Sequence, residues 1–97
     1  MQLPTTLAKL SADLPWLQAF YTDRALLEAE IDTLKATLAK DGQLWLSWPK
    51  KASKVPTDLN ENIIRDIGIT AGLVDVKVAA IDDTWSGLKF VYRLKDR

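Results

Sequence analysis

Val76-Lys77-Val78-Ala79-Ala80-Ile81-Asp82-Asp83-Thr84-Trp85-Ser86-Gly87-Leu88-Lys89-Phe90-Val91-Tyr92-Arg93-Leu94 is the stretch that decides the fold. Leu88, Phe90, Tyr92 and Leu94 alternate with Lys89, Val91 and Arg93, the period of a strand that buries one side. Val76, Val78 and Ala80 alternate in the same way with Lys77, Ala79 and Ile81, and Asp82 to Ser86 supplies turn residues between the two runs. The stretch therefore reads as a C-terminal hairpin, and the chain ahead of it has to provide the strands and helices that cover it.

Immediately upstream, Asp58 and Glu61 have the spacing of a capping box, and Leu59, Ile63, Ile64 and Ile67 form an apolar helix face running towards Ala71, with Gly72 as the stop. Gly68 inside that helix costs about 1 kcal/mol relative to Ala, so its last turn is expected to fray or tighten. Gln43 to Trp48 reads as a short apolar strand halted by Pro49. Between Asp23 and Lys40, Leu27, Ile31, Leu34 and Leu38 stack on one helix face, widened by Leu26. Thr22 or Asp23 offers the N-cap, Asp23 and Glu28 near the start and Lys35 and Lys40 near the end suit the helix dipole, and Gly42 is placed for a left-handed C-terminal turn. Arg24 is expected to pair with Glu28, four residues on. Trp16 to Tyr21 reads as the first strand. Residues 1–15, where Leu7 and Leu10 are punctuated by Ser11, Asp13 and Pro15, read as irregular structure, a short strand or a cover.

Alternating strands and helices in a chain of 97 residues predict a single α/β domain over residues 1–97. Strands joined through helices should be parallel with right-handed crossovers, and the last strand should return antiparallel, giving an open sheet of about four strands in the order 1-2-4-3. Crossovers moving the same way put both helices on one face. Leu44, Leu46 and Trp48 then face the helices, while Trp45 and Ser47 lie on the bare side. An indole on an open face calls for a cover, either the N-terminal segment or a second subunit, so Trp16, Trp45 and Val91 are the candidate interface residues.

Composition removes several function classes. Thirteen Lys and Arg balance thirteen Asp and Glu, so no global field draws the chain to nucleic acid or anionic lipid. There is no Cys and no His, which removes thiolate chemistry, sulfur metal sites and the commonest general base. No apolar run approaches the ~18 residues of a membrane span, and Met1 to Lys9 lacks the pattern of a secretory signal; a cytoplasmic location is the expectation. No catalytic residue and no cofactor is assigned.

In open α/β sheets ligands bind at the carboxyl ends of the parallel strands. Thr22-Asp23-Arg24, Trp48 to Asp58 and Asp82 to Ser86 reach that edge. Lys50, Lys51, Lys54 and Thr57, with Ser53 beside them and a helix start just beyond, suit a small phosphate-bearing anion; alternatively the lysines solubilise a loop and pair with Asp58, Asp82 or Asp83. Asp82-Asp83 with Ser86 reads as turn chemistry rather than a metal site. Trp48 and Trp85 read as structural anchors, with Trp85 expected to fold back onto residues 48–55 and pin the lysine loop.

Asp41-Gly42-Gln43-Leu44-Trp45-Leu46-Ser47-Trp48-Pro49-Lys50-Lys51, Val55-Pro56-Thr57-Asp58-Leu59, Gly72-Leu73-Val74-Asp75-Val76-Lys77-Val78 and Thr84-Trp85-Ser86-Gly87-Leu88-Lys89-Phe90 together resemble a bacterial domain-of-unknown-function family of small cytoplasmic proteins. The resemblance runs from about Leu3 to Arg97, and its motifs are Leu-Trp-x-Ser-Trp-Pro-Lys-Lys and Asp-x-Thr-Trp-Ser-Gly-Leu-Lys-Phe. It implies no activity, and it implies that longer members carry a further N-terminal strand and helix, beside the first strand. In topology alone the chain also resembles the C-terminal half of a Rossmann-like methyltransferase. Such enzymes bind their nucleoside cofactor at a glycine-rich turn after the first strand and an acidic residue after the second; the glycines here are scattered at 42, 68, 72 and 87. The expectation is a non-enzymatic interaction or dimerisation module, a homodimer without nucleic-acid or membrane partners. The alternative is a binding protein for a small anion.

Overall fold

The computed structural model describes residues 14–96. Strand β1 (Leu14–Phe20) leads through α1 (Arg24–Thr37) into β2 (Leu38–Pro49), and α2 (Glu61–Thr70) leads into the hairpin β3 (Leu73–Ala80) and β4 (Trp85–Tyr92). The sheet has four strands in the order β1-β2-β4-β3. β1 runs parallel to β2, with Leu17 opposite Leu44 and Ala19 opposite Leu46. β4 is antiparallel to both its neighbours, placing Phe90 opposite Leu44 and Leu88 opposite Val78. The reading of residues 1–13 as irregular structure or cover lies outside the described residues.

Both helices lie on one face. Phe90 and Tyr92 point the same way from β4; the Tyr92 hydroxyl donates to the Lys35 carbonyl of α1, and the Phe90 ring abuts Gly68 of α2. Leu27 and Leu34 from α1, Ile64 from α2, Leu44 and Leu46 from β2, and Leu88 and Phe90 from β4 have no exposed surface. The period-two and helical stripes of the sequence converge on this single layer.

Where the elements begin and end departs from the sequence reading in four places. α1 stops at Thr37 rather than Lys40, because Leu38 turns extended (φ −77°, ψ 133°) while its N–H still bonds the Leu34 and Lys35 carbonyls. Leu38 stays buried but as the first residue of β2. Gly42 is consequently not a helix stop: the register jumps between Leu14↔Leu38 and Trp16↔Gln43, and a Cβ at Gly42 would lie 2.8 Å from the Leu14 carbonyl oxygen. Glycine is there so that β2 can close against the β1 backbone. α2 starts late, capped by Asn60, whose side chain accepts from Ile63 N–H at 2.9 Å; Asp58 instead accepts from the Arg24 N–H at 2.8 Å. Finally, the ladder ends at Leu73↔Tyr92, so Leu94 has no strand to pair with and enters a 3₁₀ turn, 81% exposed. Gly72 ends α2 as expected, with φ +97°.

Candidate functional site

Alternation along the strands puts Trp16, Gln18 and Phe20, then Gln43, Trp45 and Ser47, then Trp85, Gly87, Lys89 and Val91 on the face away from the helices. Among the described residues no helix covers it. Trp16 is 51% exposed, whereas Trp45 and Val91 are half-buried. The Trp45 ring lies across Gly87: a Cβ there would sit 3.2 Å from its Cε3 and 2.9 Å from Ile81 Cδ1. A missing side chain on β4 is thus filled by an aromatic from β2, and the indole N–H donates to Gln43 Oε1 at 2.9 Å. Beside it, Phe20 and Trp85 meet edge to face with centroids 5.1 Å apart. Ser47, between Phe20 and Gly87 in the register, is fully buried, and among the described residues its Oγ has no hydrogen-bond partner.

Trp85 is the residue expected to fold back onto residues 48–55. It is the first residue of β4, opposite Pro49, and its ring packs on Phe20 of β1. What ties the lysine segment to the hairpin is backbone, Lys50 N–H to the Thr84 carbonyl at 2.7 Å. Trp48 is buried on the helix side.

At the carboxyl edge the loops bind one another. The Thr57 hydroxyl donates to the Thr22 carbonyl at 2.6 Å and accepts from Leu59 N–H at 3.0 Å. With the Asp58 bond to Arg24 N–H, this joins the β1–α1 and β2–α2 connections. Arg24 pairs with Glu28 at 3.0 Å. Lys51 lies in a 3₁₀ turn, Lys51–Ser53, and Lys54 ends it in the left-handed region at φ +61°. Asp82 accepts from the N–H groups of Trp85 and Thr84, both at 2.8 Å; these bonds, with a smaller contribution from the Lys50 charge, hold its carboxyl below the ordinary range. At the start of α2, Asn60 satisfies one free N–H and Glu61 brings negative charge to the first turn. A shallow groove of about 420 Å³ between the helices is lined by Arg24, Glu28, Ile31, Asp32, Asp66 and Ile67.

Among the described residues no group of three or more Asp or Glu is placed to hold a metal, and no helix is long and apolar enough to cross a membrane. Sequence reading located Trp45 on the open face and named Trp16 only as a candidate interface residue; it missed Phe20, Ile81 and Gly87. Their signal, a glycine directly beside two bulky neighbours, emerges only once the strand register is known.

No protein-family model and no curated protein matches the chain in sequence. In fold it is similar to solved methyltransferase structures. Magnesium protoporphyrin IX methyltransferase from Synechocystis PCC 6803 with bound SAM is 20% identical with a TM-score of 0.68, over 90% of this chain and 43% of that one. A TehB-like SAM-dependent methyltransferase from Corynebacterium glutamicum is 8% identical with a TM-score of 0.60, over 86% and 50%. The fibrillarin pre-rRNA processing protein of Methanococcus jannaschii is 14% identical with a TM-score of 0.61, over 92% and 41%. The chain spans about half the length of these proteins. Among the described residues no nucleoside site of the glycine-turn kind is made: Asp23 after β1 caps α1, and all four glycines are packed against the chain's own atoms. The likeness is one of architecture, and the fold is an α/β, Rossmann-like methyltransferase fold built from a four-stranded half-sheet.

Proposed function

We propose that this chain is a non-enzymatic, cytoplasmic interaction module that works as a homodimer, associating through the open sheet face and the β1 edge beside it. The observation that carries the reading is Trp16, an indole 51% exposed on a strand that has a neighbour on one side only among the described residues. An aromatic anchor in that position is what association surfaces use.

The small-anion reading has less behind it. The Thr57 hydroxyl is already engaged at both its donor and acceptor sides, and Asn60 and Glu61 occupy the start of α2, where an anion would have to sit. Size-exclusion chromatography with light scattering tests the interaction reading. A dimer mass is expected, reduced by Trp16→Ala without a loss of circular dichroism signal. A monodisperse monomer at every attainable concentration overturns it.

A further inference from the structure

The two edges of the sheet are built differently. On β3, the register slips between Asp75 and Lys77, so a bulge at Val76 and flanking charges interrupt the outer edge. Bulges and edge lysines are the devices by which natural sheets refuse further strands. β1 carries neither. Leu14-Pro15-Trp16-Leu17-Gln18-Ala19-Phe20 contains no charged residue, and Trp16 to Phe20 pair with β2 without interruption. Tyr21 N–H bonds the Ser47 carbonyl, so the alternation of a parallel ladder turns the backbone groups of Leu17 and Ala19 inward and those of Trp16, Gln18 and Phe20 outward. Among the described residues nothing takes these outward groups.

We infer that the β1 strands of two copies of this chain pair antiparallel about a two-fold axis at Gln18, joining two half-sheets into one continuous sheet. The inference rests on the interaction-module reading above and names its geometry. Of the axes an antiparallel ladder allows, the one at Gln18 centres the overlap on the uninterrupted stretch: Gln18 forms a hydrogen-bonded pair with the partner's Gln18, and Trp16 with the partner's Phe20, each pair exchanging two backbone bonds. The strand is its own complement. On the open face the exposed Trp16 ring gains an aromatic neighbour, because Phe20 already stands against Trp85. On the helix face Leu17 meets the partner's Ala19, both buried and apolar. No like charges are brought together, which a strand with a lysine or glutamate at its centre could not achieve. A closed two-fold also leaves only the bulged β3 edges at the ends of the joined sheet, which stops further growth.

The test places charge on the axis. Gln18→Lys and Gln18→Glu each set like charges opposite themselves, so each variant alone is expected to run at half the wild-type mass, and an equimolar mixture is expected to recover the dimer. Gln18→Pro removes only an outward N–H and should also give a folded monomer by circular dichroism. Recovery in the mixture places residue 18 against residue 18, and loss of the dimer in Gln18→Pro assigns that contact to the backbone edge of β1. If all three variants remain dimers while Trp45→Ala or Val91→Asp lowers the mass, the edge geometry is overturned and the interaction reading stands on the open face. A monomeric wild-type chain overturns both.

Discussion

A methyl group placed on Gly68 would lie 2.1 Å from Cε1 of Phe90, so these two residues set how closely α2 rests on the sheet. In isolation a helix prefers Ala to Gly by about 1 kcal/mol. Here the ring directly beneath reverses that preference. Gly68→Ala is expected to destabilise the fold by about 1–3 kcal/mol, the range of overpacked cores, seen as a lower urea midpoint with an unchanged slope. Pairing it with Phe90→Leu should recover part of that loss in a double-mutant cycle.

Lys35 joins the helices through one charged contact. Its Nζ donates to the Ala71 carbonyl at 2.8 Å, at the C-terminal end of α2, where a cation also complements the helix dipole. Its ammonium lies 5.7 Å from the Tyr92 ring centroid. Lys35→Met keeps the apolar stem and removes the donor, and about 1 kcal/mol should be lost in chemical denaturation.

Ser47 holds a buried hydroxyl without a partner among the described residues. Leaving such a group unpaired costs about 1–3 kcal/mol relative to an apolar replacement of the same shape. Ser47→Ala should therefore raise thermal stability, by about 1 kcal/mol. A fall in melting temperature would mean that the hydroxyl has a role the monomer does not show.

Acid dependence should run through Asp82. Its carboxyl is held below the ordinary carboxylate range by the N–H groups of Trp85 and Thr84. A depressed folded-state value means that the ionised form stabilises the hairpin above the ordinary carboxylate range and that this contribution disappears as pH falls through the folded value. The stability difference between wild type and Asp82→Asn should thus be constant near neutrality and shrink in melts taken below about pH 4. A difference that grows on acidification would contradict the assignment.

The sheet order was legible because period-two alternation in residues 88–92 and helical spacing in residues 27–34 each admit one reading, and handedness then leaves few topologies. Element ends were not, since they depend on partners distant in sequence. Leu38 satisfies the apolar pattern of a helix and of a strand equally well, and only its place opposite Leu14 decides. Asp58 and Asn60 are both competent caps; Arg24 N–H takes the first and leaves the second to α2. On the open face, strand alternation was enough to place Trp45. The packing of Trp45 over Gly87, and of Trp85 on Phe20, required the registers of three strands at once.

The position of β4 also governs the order in which the chain can assemble as it is made. β4 lies between β2 and β3, yet it follows both in the chain. β1, α1 and β2 can pair as they leave the ribosome, but β3 has no neighbour in the sheet until residues 85–92 have followed it out. Until then the apolar residues of α2 and β3 have no finished surface to rest on, and the nascent chain presents two strands awaiting a third. Completion is a single late insertion at the centre of the sheet, so a ribosome stalled before Trp85 holds a chain with an unfilled slot, the kind of intermediate that chaperones shield.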